Sequence, residues 1–213
     1  MLTIKYEKKS TASFVSHIDV LRTLGRIFAR ADVKVGFSEG FNPHMLIFCS
    51  PANAVGVNSE CEYVTIASSE QKDICEKFNT FAPEGFKAVK HFVTEKNPNL
   101  AKHVTNAEYI FRGKGIGKAD FNRLLKSDVF EISYEDKNGV KTKDFRSYVI
   151  SLEKVDDDAF KAVLKFGNDN LRPDRFLEGF FKFFDMPPVE VDCLKTQAFC
   201  GDKTVDEFLE TSV

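Results

Sequence analysis

The sequence has no tryptophan, only 3 methionines and no apolar run that approaches the ~20 residues of a membrane-spanning helix. Its first segment, MLTIKYEKK, carries charges almost from the start and lacks the apolar stretch of a signal peptide. We therefore expect a soluble, cytoplasmic protein with no membrane contact. Because tryptophan is absent and methionine is scarce, the 22 phenylalanines must supply most of the bulky core side chains.

Cysteine pairs of the CxxC type are also missing. The five cysteines, an odd number, are Cys49, Cys61, Cys75, Cys193 and Cys200. This usage fits a reducing compartment and argues against a disulfide framework or a cysteine-based zinc or iron–sulfur site. Acceptable metal ligands of other kinds are present in the first 50 residues, namely His17, Asp19 and His44, but their spacing matches no standard site. We predict no metal and no cofactor.

The chain has no excess of basic charge. Its 30 basic and 32 acidic side chains give a net charge of −2. Dedicated duplex-binding domains are more basic than this, so any nucleic-acid surface must be a local patch. Nucleophile-elbow, HExxH and kinase motifs do not occur, nor does a radical-SAM cysteine triad. No catalytic class is therefore indicated by a motif.

The predicted elements follow the same order in both halves of the 213 residues. Alternation of apolar and polar residues predicts strands, and apolar residues spaced by three and four predict helices. In the first half these are strands at 2–7, 33–37, 45–49, 60–68 and 86–94, and helices at 16–31 and 70–81. In the second half they are strands at 104–112, 148–155, 160–166 and 190–199, helices at 118–126 and 173–184, and a hairpin of 129–135 with 140–145 across Asn138-Gly139.

Each half therefore has the order β-α-β-β-α-β. This order predicts an α+β fold of two tandem ferredoxin-like units with antiparallel sheets, the second unit carrying an extra hairpin strand. We place the first domain at residues 1–96 and the second at 101–200, separated by a polar segment around Pro98. The acidic tail, residues 201–213, is expected to be a frayed helical end.

The segment Ser16-His17-Ile18-Asp19 begins the first predicted helix. Ser16 can cap the helix, and Asp19 completes a capping box and favours the positive end of the helix dipole. His17, at the first helical position, is not required by packing and can transfer protons near neutral pH. Arg22 and Arg26 then lie on one face, which is either solvated or available for phosphate contacts.

The segment FSEGFNPH, residues 37–44, is a turn that contains an unusual number of aromatic and polar side chains. Gly40 and Pro43 explain the turn itself. Phe41 either fills the core or, if exposed, stacks on a base or another planar group, with Asn42 beside it. His44 would form an acid–base pair with His17 if the strand after the first helix lay beside the start of that helix.

The segment Gly113–Lys118 follows a strand and opens a helix. A glycine-rich turn is its default interpretation, because it matches neither the Walker pattern nor GxGxxG. The surroundings are nevertheless basic, and Lys114, Lys118 and Arg123 form the best local candidate for a phosphate-binding surface.

Three segments together resemble the radical-SAM-linked protein family, a bacterial domain of unknown function. They are FVSHIDVLRTLGRIFARA at 14–31, FSEGFNPH at 37–44, and Pro51 through Gly56-Val57-Asn58-Ser59-Glu60-Cys61-Glu62-Tyr63; LRPDRFLEGF at 171–180 is similar to the C-terminal helix of the family. The chain departs from the family pattern at Met45 and Thr65. The resemblance implies a protein encoded beside, or fused to, a radical-SAM protein, often near a ribonuclease G gene. It supplies no established catalytic residues.

These observations lead to one main hypothesis and two alternatives. The main hypothesis is a non-catalytic module that works with a radical-SAM protein and binds a substrate, transfer or ribosomal RNA. The residues expected to bind it are His17, Arg22, Arg26, Phe41, Asn42, His44, Lys114, Lys118 and Arg123. The first alternative is a metal-independent endoribonuclease that uses His17 and His44 as acid and base. The second is a structural adaptor with an exposed apolar patch.

Overall fold

The structure, a computed structural model, describes residues 1–136 and 139–211, which form eleven strands and six α-helices. The strands are β1 (Leu2–Lys8), β2 (Ile47–Cys49), β3 (Asn58–Ile66), β4 (Phe86–Val93), β5 (Asn106–Arg112), β6 (Glu131–Asp136), β7 (Gly139–Asp144), β8 (Val149–Asp156), β9 (Ala159–Lys165), β10 (Asp192–Cys200) and β11 (Lys203–Thr204). The helices are α1 (His17–Arg30), α2 (Ile74–Phe81), α3 (Leu100–His103), α4 (Phe121–Leu125), α5 (Pro173–Phe183) and α6 (Val205–Glu210).

Nine strands form one sheet, with the main path β4-β1-β3-β10-β5-β9-β8. Strand β2 pairs with β3, and β11 pairs with β10. The two halves of the chain meet at β3 and β10, which run parallel and pair Ser59 with Lys195. The other neighbouring strands described in this sheet are antiparallel. The expected α+β class is confirmed. The two halves nevertheless share one sheet, because β3 and β10 pair and each strand thereby covers an exposed sheet edge of the other half.

Helix α1 begins at the predicted cap, Ser16, but the predicted capping box is not completed, because the Asp19 carboxylate accepts the Ser16 hydroxyl and not the Ser16 backbone N–H. The backbone N–H of Asp19 donates to the Oγ atom of Ser16 at 3.3 Å, and the Ser16 hydroxyl donates to the Asp19 carboxylate at 2.7 Å. The buried stripe of the helix is Val20, Leu24, Ile27 and Phe28. The apolar side chain of Ile18, in the first turn, lies outside this stripe and is 61 % exposed.

The buried side chains form two clusters. One cluster contains residues between Leu2 and Ala88 and includes the inner faces of α1 and α2. The other contains residues between Val57 and Leu209 and is rich in phenylalanine. In this second cluster the rings of Phe160 and Phe180 stack with their centroids 4.9 Å apart. The expectation that phenylalanine fills the core is therefore confirmed.

Residues 33–37 do not form the predicted strand. The side chain of Val33 is buried, which produces the apolar pattern that suggested a strand. Its backbone N–H, however, donates to the carbonyl of Phe28 in α1, and the N–H of Gly36 donates to Ala67 beyond the end of β3. The backbone N–H groups of this segment thus bond to different parts of the chain, and they do not form a ladder with one neighbouring strand.

The hairpin at 129–145 and the acidic tail are both formed. Strands β6 and β7 pair with each other as expected, but they form a separate two-stranded sheet instead of adding a strand to the second unit. Lys137 and Asn138 of the turn lie outside the described residues. The tail forms the capped helix α6, but the expected fraying is wrong for Val205 and Leu209, which are fully buried. The reason is that α6 packs on the sheet, where the Tyr63 hydroxyl donates to Asp206 at 2.7 Å.

In the part of the chain that the structure describes, no helix has both the length and the apolar character needed to cross a bilayer.

Candidate functional site

The loop before β2 is closed by hydrogen bonds between Ser38 and His44. The N–H of Ser38 donates to the carbonyl of His44 at 2.9 Å, and the N–H of His44 donates to the Ser38 Oγ atom at 3.1 Å. The Ser38 Oγ and His44 Nδ1 atoms are also 2.8 Å apart. Gly40 has φ +119°, a backbone conformation that glycine adopts more readily than other residues. Phe41, at the tip, is fully exposed, so it does not fill the core.

The strand that follows the loop, β2, lies beside α1. A methyl group placed on Gly25 would contact the side chain of Ile47 at 3.7 Å, so β2 packs beside the middle of this helix. Gly25 is about 12 Å along the helix axis from His17, at 1.5 Å per residue. His44 is bonded to Ser38, and neither of the cavities described below, both of which His17 lines, includes His44, so the described residues show no contact between the two histidines. The acid–base pair of the ribonuclease hypothesis therefore stays a prediction.

The arginines of α1 have different surroundings. Arg22 forms an exposed ion pair with Asp19 at 3.0 Å. The Ser16 hydroxyl and Arg22 hold the pKa of Asp19 below its usual value. Arg26 and Arg30, in contrast, line a groove against the end of α2. Neither of them forms an ion pair with a carboxylate of the described residues, although the charge of Arg26 acts on Asp19 at longer range, so both guanidinium groups can bind an external anion.

The glycine-rich turn at 113–118 uses its backbone N–H groups internally. The N–H groups of Gly113 and Gly117 donate to the carbonyls of Asp158 and Asp157 at 2.8 Å and 3.0 Å. The N–H of Gly115 donates to the Asp158 carboxylate at 2.7 Å. The chain's own carboxylate thus occupies the place that a phosphate would take, which supports the structural interpretation of the turn.

The basic side chains near this turn are exposed and dispersed. Lys114 and Lys118 project into solvent, and the guanidinium of Arg123 lies over the ring of Phe183, 5.0 Å from its centroid. A cation that covers an aromatic face is partly used for packing. This group therefore offers charge at the surface without forming an enclosed site.

A buried polar cluster, which sequence reasoning missed, lies where the two halves meet. The Nζ atom of Lys195 on β10 is 2.6 Å from the Oε1 atom of Glu62 on β3, and both side chains are almost completely buried. Lys8 on β1 is also buried, and its Nζ atom is 3.5 Å from the carbonyl of Ser13. Glu62 pairs with Lys195 and acts on Lys8 only through longer-range electrostatics, so two buried ammonium groups face a single carboxylate.

The pKa directions follow from this arrangement. Burial lowers the pKa of Lys8, an effect that the carboxylate of Glu62 opposes and the charge of Lys195 reinforces. Burial alone would lower the pKa of Lys195 as well, but Glu62 and the nearby Cys61 outweigh it, and the pKa of Lys195 is raised. Burial also raises the pKa of the Cys61 thiol to about 11, so this cysteine is a neutral core residue and not a nucleophile.

A cavity of about 290 Å³ lies beside this cluster, between the first residues of α1 and α5. Its polar lining comes from Ser16, His17, Asn53, Tyr109, Asn170 and Arg172. A separate, smaller cavity of about 20 Å³ is lined by His17 and Asn53 as well and also by Lys8 and Glu62. The smaller cavity has room for about one water molecule, whereas the larger one has room for a small ligand. Neither space is lined by a residue of the loop at 37–44.

Tyr109 is the one fully buried polar side chain in the lining of this cavity. Its hydroxyl has no hydrogen-bond partner among the described residues. Burial, followed by the nearby Cys193, Cys61 and Glu62, raises the pKa of Tyr109, so the hydroxyl stays protonated and can donate. A buried hydroxyl without a partner costs free energy, and a bound ligand would relieve that cost.

Three segments that line this cavity were recognisable in the sequence, but nothing in the sequence showed that they meet. The segments around Ser16, Pro51 and Arg172 each resemble the same family, yet α1 and α5 are far apart along the chain. Their convergence depends on the pairing of β3 with β10. The charged residues Lys8, Glu62 and Lys195 gave no signal, because each falls in a strand with neighbours that suggest an exposed position.

No three His, Cys, Asp or Glu side chains of the described residues are grouped as ligands for a metal ion. The family described as "Uncharacterized protein conserved in bacteria (DUF2344)" matches residues 1–173, a range that includes both helix starts at the cavity. None of the curated proteins matches the chain.

Proposed function

The chain belongs to this family of uncharacterized proteins conserved in bacteria, and we propose that it is a non-catalytic recognition module that binds RNA for a radical-SAM enzyme. The single observation that carries the RNA-binding part is the position of Phe41. This ring is fully exposed at the tip of a loop that three hydrogen bonds hold closed. A large apolar side chain held in water by a structured loop is suited to a contact with a partner.

Stacking on an unpaired base is the contact that fits this ring best. Every base has a π-face, and an aromatic side chain contributes about 1–3 kcal/mol per stacked base. Asn42 and His44 beside it are also exposed and offer hydrogen-bonding groups to a base edge. The loop thus combines an aromatic platform with polar neighbours, as single-stranded RNA sites do.

Phosphate contacts come from the exposed face of α1. Arg26 and Arg30 lack a carboxylate partner in the described residues, and guanidinium groups match phosphate oxygens. Because the chain as a whole has a net charge of −2, this local patch has to supply the attraction. We therefore expect binding of RNA to weaken as the salt concentration rises.

The radical-SAM partnership rests on the resemblance of the SHID, FSEGFNPH and LRPDRF segments to the radical-SAM-linked family. In this proposal the partner supplies the chemistry and the present chain holds the substrate. Affinity purification from the native host tests the partnership, with a radical-SAM protein as the expected partner. A purification that recovers RNA without such a protein would separate the two parts of the proposal.

Fluorescence anisotropy with labelled transfer RNA and ribosomal RNA fragments tests RNA binding. Loss of one stacking contact alone should weaken binding at least about fivefold in a Phe41→Ala/Arg26→Ala variant. The matched control is Phe14→Ala/Arg112→Ala, which changes an exposed phenylalanine and an exposed arginine outside the loop and α1. Equal binding by wild type and the first variant would remove this surface from the proposal. The RNA should remain intact in EDTA, because the proposed module is non-catalytic, whereas cleavage that is lost on His17→Ala would favour the ribonuclease alternative.

At the level of the fold, we propose that the chain consists of two ferredoxin-like units, 1–96 and 101–200, followed by the tail 201–213. The strand orders β4-β1-β3-β2 and β10-β5-β9-β8 support this division, because each corresponds to a βαββαβ unit. The core cluster confined to residues between Leu2 and Ala88 supports it too. A fragment of residues 1–96 should then unfold cooperatively on heating; a fragment without a cooperative transition would contradict the division.

A further inference from the structure

Two helix N-termini face the same cavity. Helix α1 has 14 residues and begins at His17, and α5 has 11 residues and begins at Pro173. The backbone N–H groups of His17 and Ile18, and that of Asp174 in α5, donate no hydrogen bond within the described part of the chain. The first residues of both helices, His17 and Pro173, line one open cavity, and the positive ends of the two helix dipoles favour an anion there.

The hydroxyl of Tyr109 is an independent sign of a ligand in this space. It is completely buried, lines the cavity and has no partner among the described residues. Buried hydroxyls are nearly always hydrogen-bonded, because desolvation without a partner is unfavourable. An acceptor in the cavity would satisfy the hydroxyl. A ligand group that accepts hydrogen bonds would therefore satisfy both the helix N-termini and the tyrosine hydroxyl.

Arg172 is the one permanently charged side chain in the lining of the cavity, which also contains His17 and no Asp or Glu among the described residues. The small neighbouring cavity is lined by Lys8 and Glu62, and Glu62 pairs with Lys195. An anion in the larger cavity would offset the net positive charge of these groups, which water screens poorly where they are buried.

Two carboxylates lie close to the cavity without lining it. Asp19 accepts a hydrogen bond at 2.7 Å from the hydroxyl of Ser16, which is a lining residue. Asp174, in the first turn of α5, accepts hydrogen bonds from the Arg172 guanidinium at 3.0 Å and 2.6 Å. Both side chains are about half exposed, so this ion pair is weak and can rearrange. The Arg172 guanidinium has five donors, and its pairing with Asp174 leaves others to point inward.

The volume restricts the ligand to a small molecule. At about 290 Å³ the cavity lies at the lower end of the roughly 300–1,000 Å³ typical of ligand pockets. A polynucleotide chain does not fit in this space. A single phosphate group with a small organic part does.

We propose that this cavity binds a small phosphorylated ligand. Its phosphate accepts hydrogen bonds from the free N–H groups at the starts of α1 and α5, from the side chains of His17 and Arg172, and from the Tyr109 hydroxyl. Asn53 and Asn170 contact the organic part. This site goes beyond the RNA-binding surface proposed above, since it uses different residues, so either proposal can fail alone.

Isothermal titration calorimetry on the full chain tests the site with three probes: inorganic phosphate, adenosine 5′-monophosphate and adenosine. We expect phosphate and the monophosphate to bind and adenosine not to bind. Tighter binding of the monophosphate identifies the ligand as a phosphate ester, and equal affinity identifies free phosphate. Absence of heat from both phosphorylated probes at concentrations up to about 10 mM, where even weak binding with a Kd near 1 mM is detected, would overturn the proposal.

Two variants connect binding to the named residues. Arg172→Gln should weaken phosphate binding at least about tenfold, since it removes a charged hydrogen bond. The matched control is Arg175→Gln on the same helix, because the Arg175 guanidinium lies over the ring of Tyr134 and not in the cavity. Tyr109→Phe should also weaken binding while leaving the unliganded protein as stable as wild type. Unchanged phosphate affinity in both variants would overturn the proposal.

Discussion

The ammonium nitrogen of Lys195 lies 2.6 Å from a carboxylate oxygen of Glu62, and this buried ion pair joins the two halves of the chain. Glu62 belongs to β3 and Lys195 to β10, the strands through which the halves share one sheet. Lys8 adds a second buried ammonium group to the same cluster. The stability of this junction therefore depends on one carboxylate.

Removal of that carboxylate should be more harmful than removal of one ammonium group. Glu62→Gln leaves Lys8 and Lys195 buried without a counter-charge, and we expect the free energy of unfolding to fall by about 3–5 kcal/mol. Lys195→Met leaves Glu62 with Lys8 as a partner, so its cost should be smaller. Urea unfolding followed by circular dichroism measures both. An equal or larger cost for Lys195→Met would contradict the excess of positive charge.

The glycine-rich turn offers a pair of matched substitutions. A methyl group on Gly117 would overlap the carbonyl oxygen of Asp156 and lie 2.8 Å from that of Ala159. Because both obstacles are backbone atoms, Gly117→Ala should lower the free energy of unfolding by about 3 kcal/mol or more. The same change at Gly115 meets open space and has only the strain of φ +77°, about 1–2 kcal/mol. Similar urea midpoints for the two variants would contradict this packing.

The C-terminal helix should contribute to stability as a packed element. Leu209 is fully buried, so Leu209→Ala should cost about 2–5 kcal/mol of unfolding free energy. The neighbouring Glu210 pairs with Lys90 at 2.7 Å at the exposed surface, and Glu210→Ala should cost less than about 1 kcal/mol. Chemical denaturation of both variants measures the difference. A negligible loss for Leu209→Ala would restore the expectation of a frayed tail.

Acid should remove a stabilising contribution of Asp144. Its carboxylate accepts the N–H groups of Phe130 and Arg146 at 2.8 Å and 2.9 Å, and these hydrogen bonds hold its pKa below the usual 3.8. A carboxyl group with a depressed pKa stabilises the fold above its unfolded pKa and loses this effect as the pH falls through the folded pKa. Asp144→Asn should therefore be less stable than wild type at neutral pH, by at most about 1 kcal/mol at this exposed position.

This difference should shrink below pH 3.8, where the wild-type carboxylate also becomes neutral. Thermal unfolding at several pH values between neutral and acid measures it. The control is Asp128→Asn, since the Asp128 carboxylate is exposed and accepts no hydrogen bond from the described residues. A difference between wild type and Asp144→Asn that persists unchanged in acid would show that its origin is not the charge.

The order of helices and strands was predicted well because its causes are local. The cap at Ser16, the apolar spacing from Val20 to Phe28 and the alternation in β1 all act over a few residues. The segment at 33–37 was wrongly predicted to be a strand, because Val33 is buried as in a strand although its N–H donates to the carbonyl of Phe28 in α1. The burial of apolar side chains alone therefore produced a sequence pattern that resembles that of a strand.

The candidate site was predicted only in part, for a different physical reason. The loop at Phe41 could be recognised because its glycine, proline and aromatics are adjacent in the sequence. Whether the ring was exposed, and which residue His44 contacts, depended on the tertiary packing of the loop. No pattern within the loop contains that information.

The sequence by itself determined the α+β class, the starts and ends of most elements and the family of the chain. Only the tertiary structure decided that both halves share one sheet and that the starts of α1 and α5 enclose a cavity over Tyr109. The physical reason is range: capping and alternation act between near neighbours, whereas the parallel pairing of Ser59 with Lys195 joins residues from opposite ends of the chain.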